Sequence, residues 1–232
     1  MKLRKLFPLY CLVLGIILVT TMWGNDVIAL SAQEYKLPDR TVIVIDAGHG
    51  GMDGGAVSCT GVFESKINLE IALRLNDLMH FLGFETVMIR NTDKSIHTSG
   101  NSIAQKKVSD LKERVRIVNS TPCALLISIH QNMFTQSKYS GAQIFYAATD
   151  HSKELAEEMQ KSFCRTINAG SSRRAKQSSG VYLMEHIHCT GVLVECGFLS
   201  NAAEEELLRT EDYQKKICCV IASSCASFIT NS

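Results

Sequence analysis

"TVIVIDAGHGG", residues 41–51, decides how this chain folds. From Thr41 to Asp46 it is a continuous run rich in Val and Ile. A run without polar alternation is the pattern of a parallel strand buried on both faces. The glycines that follow, from Gly48 to Gly55, let the backbone turn tightly or pass close to a ligand. The period then changes. Ile67, Ile71, Leu75, Leu78 and Leu82 recur at three- and four-residue intervals, and Gly83 stops the helix they predict. "FETVMIR", from Phe84, reads as a second strand.

The same alternation continues. "ALLISIH" from Ala124 is a third strand, and "AQIFYAA" from Ala142 is a fourth that sits near an edge. Val181–Met184 reads as a short strand, and "GVLVE" from Gly191 is the last. Helices are predicted over Val108–Val118, Ser152–Ile167 and Tyr213–Phe228. The first of these carries Val108, Leu111, Val115 and Val118 on one side. Asn91–Gln105 is a polar loop, long for a compact domain, of the kind that serves as a lid or lacks order. Strands alternating with helices predict a three-layer α/β/α domain with a mainly parallel central sheet, covering residues 41–232. In such sheets ligands bind beyond the carboxyl ends of the strands.

The N-terminus is of another kind. Lys2, Arg4 and Lys5 precede an apolar stretch, "LFPLYCLVLGIILVTTMWGN", that carries no charge before Asp26. As a helix it would be about 30 Å long, enough to cross a bilayer. Residues 1–30 therefore read as a membrane anchor or a cleaved signal segment, and 31–40 as a linker. Either reading exports the rest of the chain to the outer face of a membrane. Lys and Arg total 24 against 23 Asp and Glu, with no basic tract beyond Arg173, Arg174 and Lys176, so nucleic acid is not an expected partner. Nine cysteines form no CxxC pair, which argues against a cysteine metal site. A domain of this size needs no disulfide staples, and mostly reduced cysteines are expected; the adjacent Cys218 and Cys219 should point to different helix faces.

Four residues carry the chemistry, three of them at strand ends. His49 and His130 each follow a strand-like run, Glu64 precedes the first helix, and Glu195 closes the last strand. Two imidazoles and one carboxylate make a zinc set with a position left for water. Glu195 would then be the general base, since an acid after a buried Val-Leu-Val run is costly unless paired or used. Plainer roles exist for each: Glu64 as a helix-start anion, His130 as a hydrogen-bonded core residue. The glycine loop is not a nucleotide motif, for it has neither GxGxxG spacing nor GK[ST]. Asp46 is placed to fix an imidazole tautomer or to cap a turn, and Asn132 to position substrate or shape a turn. Arg174 either meets an anionic substrate or is solvated surface charge. Glu185, His186 and His188 form an alternative metal set.

These motifs resemble the zinc-dependent N-acetylmuramoyl-L-alanine amidases of the Amidase_3 type. "DAGHGG" (46–51) is similar to that family's first motif, with Ala47 in place of its proline. "DGGA" (53–56), Gly61 to Glu64, "SIHQN" (128–132) and "VLVECGFLSN" (192–201) match its later motifs in order. The resemblance implies one zinc ion held by His49, Glu64 and His130, with Glu195 as the catalytic carboxylate. It implies hydrolysis of the amide between the lactyl group of N-acetylmuramic acid and L-alanine in peptidoglycan. The compact domain most resembles the germination-specific, spore-cortex branch, whose members prepare muramic acid for δ-lactam formation. That branch implies a site between the membranes of a developing spore and, in some clostridial relatives, an activating lipoprotein partner. The competing readings are a cell-wall zinc peptidase that cuts the peptide stem and a non-catalytic peptidoglycan-binding protein.

Overall fold

The computed structural model describes residues 41–231. The segment read as anchor or signal (1–30), the linker (31–40) and Cys11 lie outside the described residues. No helix among the described residues is long and apolar enough to cross a membrane.

In chain order the elements are β1 (Val42–Ala47), α1 (Glu64–Phe81), β2 (Glu85–Met88), α2 (Ile103–Ser120) and β3 (Ala124–Asn132). Then come β4 (Gln143–Tyr146), α3 (Ser152–Arg165), β5 (Lys176–Gln177), α4 (Tyr182–His186), β6 (Thr190–Phe198), α5 (Ala202–Leu208) and α6 (Glu211–Asn231). One sheet runs in the order β2-β1-β3-β6-β4-β5. Strands β2, β1, β3 and β6 are mutually parallel, and β4 runs antiparallel to β6. The domain is a three-layer α/β/α fold with a mainly parallel sheet. The chain leaves β1 for β2 on one side and returns as β3 on the other. The sheet therefore has its switch point at the carboxyl ends of β1 and β3, where such folds bind ligands.

Alternation along the strands sets the layers. Ile43, Ile45, Leu125, Ile127, Val192 and Val194 face a large core completed by α1, α3 and α6. Val44, Leu126 and Leu193 face a smaller core under α2 and α4. Further along that second face the residues turn polar: Asp46 on β1, Ser128 and His130 on β3, Glu195 on β6. The helix covering them is correspondingly polar inside. Helix α2 buries Ser109, Asp110, Arg114 and Val118, while Val108 and Leu111 are exposed. The expected apolar face is thus replaced by one matched to a polar sheet end.

Several boundaries differ from expectation for identifiable reasons. Helix α2 starts five residues early because Ser102 and Gln105 form a reciprocal capping box. The 91–102 loop is tied down rather than free. Asp110 accepts from the Ile96 amide (2.7 Å), the Ser109 hydroxyl from the Thr98 and Ser99 amides (3.1 Å each). Residues 182–186 form a helical turn, not a strand, which sends the adjacent Leu183 and Met184 into the smaller core. Helix α5 is additional; the Asn201 side chain caps it and buried Glu204 accepts from the Gly141 and Phe198 amides. The eight described cysteines are free thiols, with Cys218 buried and Cys219 exposed.

Two buried arginines hold the turn after β1. Arg90 donates from Nε to the Ala47 carbonyl (2.7 Å) and from Nη2 to the Gly48 and Ser65 carbonyls (2.9 Å each). Arg114 donates to Asp46, to Asp110 (2.6 Å), and to the Ala47 and His49 carbonyls (3.0 and 2.7 Å). The second Asp46 oxygen accepts from the Ser128 hydroxyl (2.7 Å). Burial, the largest single influence, would raise the Asp46 carboxyl, but the Arg114 guanidinium, His130 and the Ser128 hydrogen bond together hold the pKa below the ordinary value. Arg114→Met should therefore cost about 3–5 kcal/mol in denaturant unfolding at neutral pH, because it leaves Asp46 buried without its cation. The wild-type contribution is present above the ordinary carboxylate pKa and is lost as acid protonates Asp46, so the gap between the two proteins should narrow at low pH.

Candidate metal centre

His49 leaves β1 in the left-handed region, with φ of 61°. Such a backbone is strained for a residue with a side chain, and here bonds on both sides hold it. Its carbonyl accepts from Arg114, and its Nδ1 lies 2.9 Å from Asp53 Oδ2. Nδ1–H donation to Asp53 leaves the Nε2 lone pair for another partner. Nε2 lies 3.2 Å from Glu64 Oε2. Glu64 is the first residue of α1, and its carboxylate turns back over the glycine loop. It accepts from the Ala56 amide (3.0 Å), the Gln131 amide (3.2 Å) and Asn68 Nδ2 (3.1 Å). His130 Nδ1 stands 3.0 Å from Glu64 Oε1, and the two imidazoles meet edge to face with centroids 5.0 Å apart.

Among the described residues, His49, Glu64 and His130 are the one group of three whose ligand atoms all lie within 4.8 Å of one another. The cluster can hold a divalent metal ion. Its electrostatics agree with that use. Burial would raise the Glu64 carboxyl, yet the two imidazoles outweigh it and hold the group far below the ordinary carboxylate range. Burial would depress His49, yet Glu64 and then Asp53 raise it to about 9. A carboxylate this strongly ionised between two imidazoles is a donor set suited to a cation.

Two glycines make room for the cluster. A Cβ on Gly48 would lie 2.3 Å from the His130 ring. A Cβ on Gly55, where φ is +69°, would lie 2.6 Å from Glu64 Oε2 and 2.7 Å from His49 Cδ2. The glycine loop thus allows close packing around His49, Glu64 and His130.

Glu195 pairs with His130 across β6 and β3, so the two side chains share a sheet face. Its Oε2 is buried and without a hydrogen-bond partner. Burial is the main reason its pKa is raised to about 7, with the charge of Glu64 adding to it and the imidazoles opposing. An acid poised near neutrality with an unused oxygen is suited to proton transfer.

The other expected residues divide. Asp46 is taken up by Arg114 and Ser128; it is Asp53 that lies against His49 Nδ1. Asn132 ends β3 two residues past His130, and its carbonyl accepts from the Leu199 amide (2.8 Å). Arg174 is exposed and does not line the cleft beside the cluster. The alternative set does not converge. Glu185 accepts from the Gly180 amide (2.6 Å), and His186 stacks on Tyr182 at 3.9 Å. Sequence reading missed Asp53, Asn68, Arg90 and Arg114. The available signals were an arginine closing the apolar "FETVMIR" run and an Asp-x-x-x-Arg spacing on α2.

The cleft in front of the cluster measures about 270 Å³. Met52 and Asp53, the first turns of α2 and Gly180–Leu183 form its walls.

Comparisons with known proteins agree with this arrangement. Residues 43–227 match the Amidase_3 family model, described as N-acetylmuramoyl-L-alanine amidase. The chain is 33% identical to the germination-specific N-acetylmuramoyl-L-alanine amidase of Bacillus subtilis, covering 98% of this chain and 97% of that protein. The CwlD amidase from Clostridioides difficile, solved in complex with the GerS lipoprotein, superposes with a TM-score of 0.79 at 36% identity, over 83% of this chain and all of that one (100%). The catalytic domain of CwlV, an amidase from Bacillus (Paenibacillus) polymyxa, does so with a TM-score of 0.66 at 29% identity, over 83% of this chain and 99% of that one. A turn clamped by two arginines, a His-Glu-His cluster and these likenesses have one explanation: the chain belongs to the Amidase_3 family of N-acetylmuramoyl-L-alanine amidases.

Proposed function

We propose that this peptidoglycan amidase uses one zinc ion held by His49, Glu64 and His130, with Glu195 as its proton-transfer group. The bond cut is the amide between the lactyl group of N-acetylmuramic acid and L-alanine. The observation that carries the reading is the buried, unpartnered oxygen of Glu195 on the strand beside His130. When bound, zinc supplies Lewis acidity to the scissile carbonyl and makes a nucleophile of water near neutral pH. Glu195 takes the proton released by the attacking water and returns it to the departing alanine nitrogen. Asp53 keeps the His49 Nδ1–H in place, and the arginines keep its backbone from relaxing.

The role in the cell follows from the likenesses. The Bacillus subtilis relative bears a germination-specific name, which supports action on spore cortex ahead of muramic δ-lactam formation. The Clostridioides difficile relative was solved with a lipoprotein, which supports an activating partner of that kind. Residues 41–232 serve as the catalytic domain, and 1–30 as the segment that exports it to the outer face of a membrane.

Glu195→Gln should keep its zinc and lose activity by about 100-fold or more. Metal content and release of new alanine amino termini from purified peptidoglycan read the two effects separately. Loss of zinc with undiminished activity per bound ion would sink the assignment. Gly55→Ala should fold, by circular dichroism, but hold zinc more weakly, because the added methyl group meets both His49 and Glu64. Mass analysis of digested cortex should show intact stem peptides beginning with alanine; peptides cut within the stem would favour a peptidase instead.

A further inference from the structure

Among the described residues, one charged side chain lining the cleft has no ionic partner. Lys106 closes the first turn of α2 and lines the cleft together with Lys107, Asp53, Asp110 and Arg114. The other ionised groups there are matched. Lys107 Nζ is 2.8 Å from Asp53 Oδ1, whose second oxygen serves His49. Arg114 is bonded to Asp46 and Asp110. Gly180–Leu183, across the cleft, adds no charged side chain. Lys106 is half-buried, and among the described residues its ammonium has no acidic partner. Its position adds to the excess, for the first turn of α2 carries no acidic residue and the helix dipole puts positive potential there. A cation so placed, with Asp46, Asp53 and Asp110 along the cleft already bonded, is complementary to an anion from outside.

The substrate chemistry says where that anion lies. The single carboxyl of N-acetylmuramic acid is consumed in the amide, so the sugar side of the scissile bond is uncharged. We infer that Lys106 receives a free carboxylate of the stem peptide, close to the scissile bond, and so sets the enzyme's preference among stem peptides. The inference rests on the amidase reading above. Lys106 acts on binding, not on the chemical step, so its effect belongs to KM.

Two probes test this. Both are N-acetylmuramoyl-L-alanyl-D-glutamate with the γ-carboxyl blocked as a methylamide; the α-carboxyl is free in one and a carboxamide in the other. The zinc-loaded protein should favour the free acid by about tenfold in kcat/KM, through KM, and less so in high salt. Lys106→Gln should bring the ratio to about one, Lys106→Arg should preserve it, and Lys106→Glu should reverse it. A ratio unchanged by Lys106→Gln, or an equal loss on both probes, would overturn the inference. Calorimetric binding of both probes to Glu195→Gln protein, with and without Lys106→Gln, reads the same ratio without turnover. If the wild-type protein cuts neither probe, the amidase reading fails while the binding ratio still decides the role of Lys106.

Discussion

The site depends on the carbonyl oxygens of Ala47, Gly48 and His49. They leave the sheet just where the chain must turn sharply, and no neighbouring strand can take them. Buried carbonyls without donors are expensive. Here two guanidinium groups supply the donors, Arg90 from beyond β2 and Arg114 from α2. Because a guanidinium is planar and presents several N–H groups at fixed angles, it fixes the direction of each carbonyl as well as pairing it. The left-handed backbone of His49 is set in this way, and with it the direction of the imidazole.

The two helical layers serve different ends. Helices α1, α3 and α6 cover an almost wholly apolar face, and most of the burial that stabilises the domain is there. Helix α2 and the short α4 cover a smaller apolar patch that gives way to charge towards the carboxyl edge. A polar sheet end beneath a polar helix costs stability unless its groups pair closely, which the Asp46–Arg114–Asp110 series does. The rigidity that results is what a preorganised metal cluster requires.

Strand order apart, the central fold was legible because β1, β3 and β6 are buried on both faces and read as unbroken apolar runs. His49, Glu64, His130 and Glu195 were legible because each sits where such a run or helix begins or ends. Asp53, Arg90 and Arg114 were not. Their partners are mainly backbone carbonyls or residues distant in the chain, and no periodicity marks a side chain bonded to another segment's main chain. The same reason hid the start of α2, where Ser102 and Gln105 satisfy each other while Ile103 stays exposed. The apolar spacing from Val108 predicted an inward face that the polar sheet end does not want.

His49 is held by two carboxylates, Glu64 at Nε2 and Asp53 at Nδ1. In the protein without metal, Glu64 and Asp53 together stabilise an imidazolium, so a proton and a divalent cation compete for one lone pair. An ion held by this cluster would have to displace that proton, so its binding would weaken as the medium acidifies.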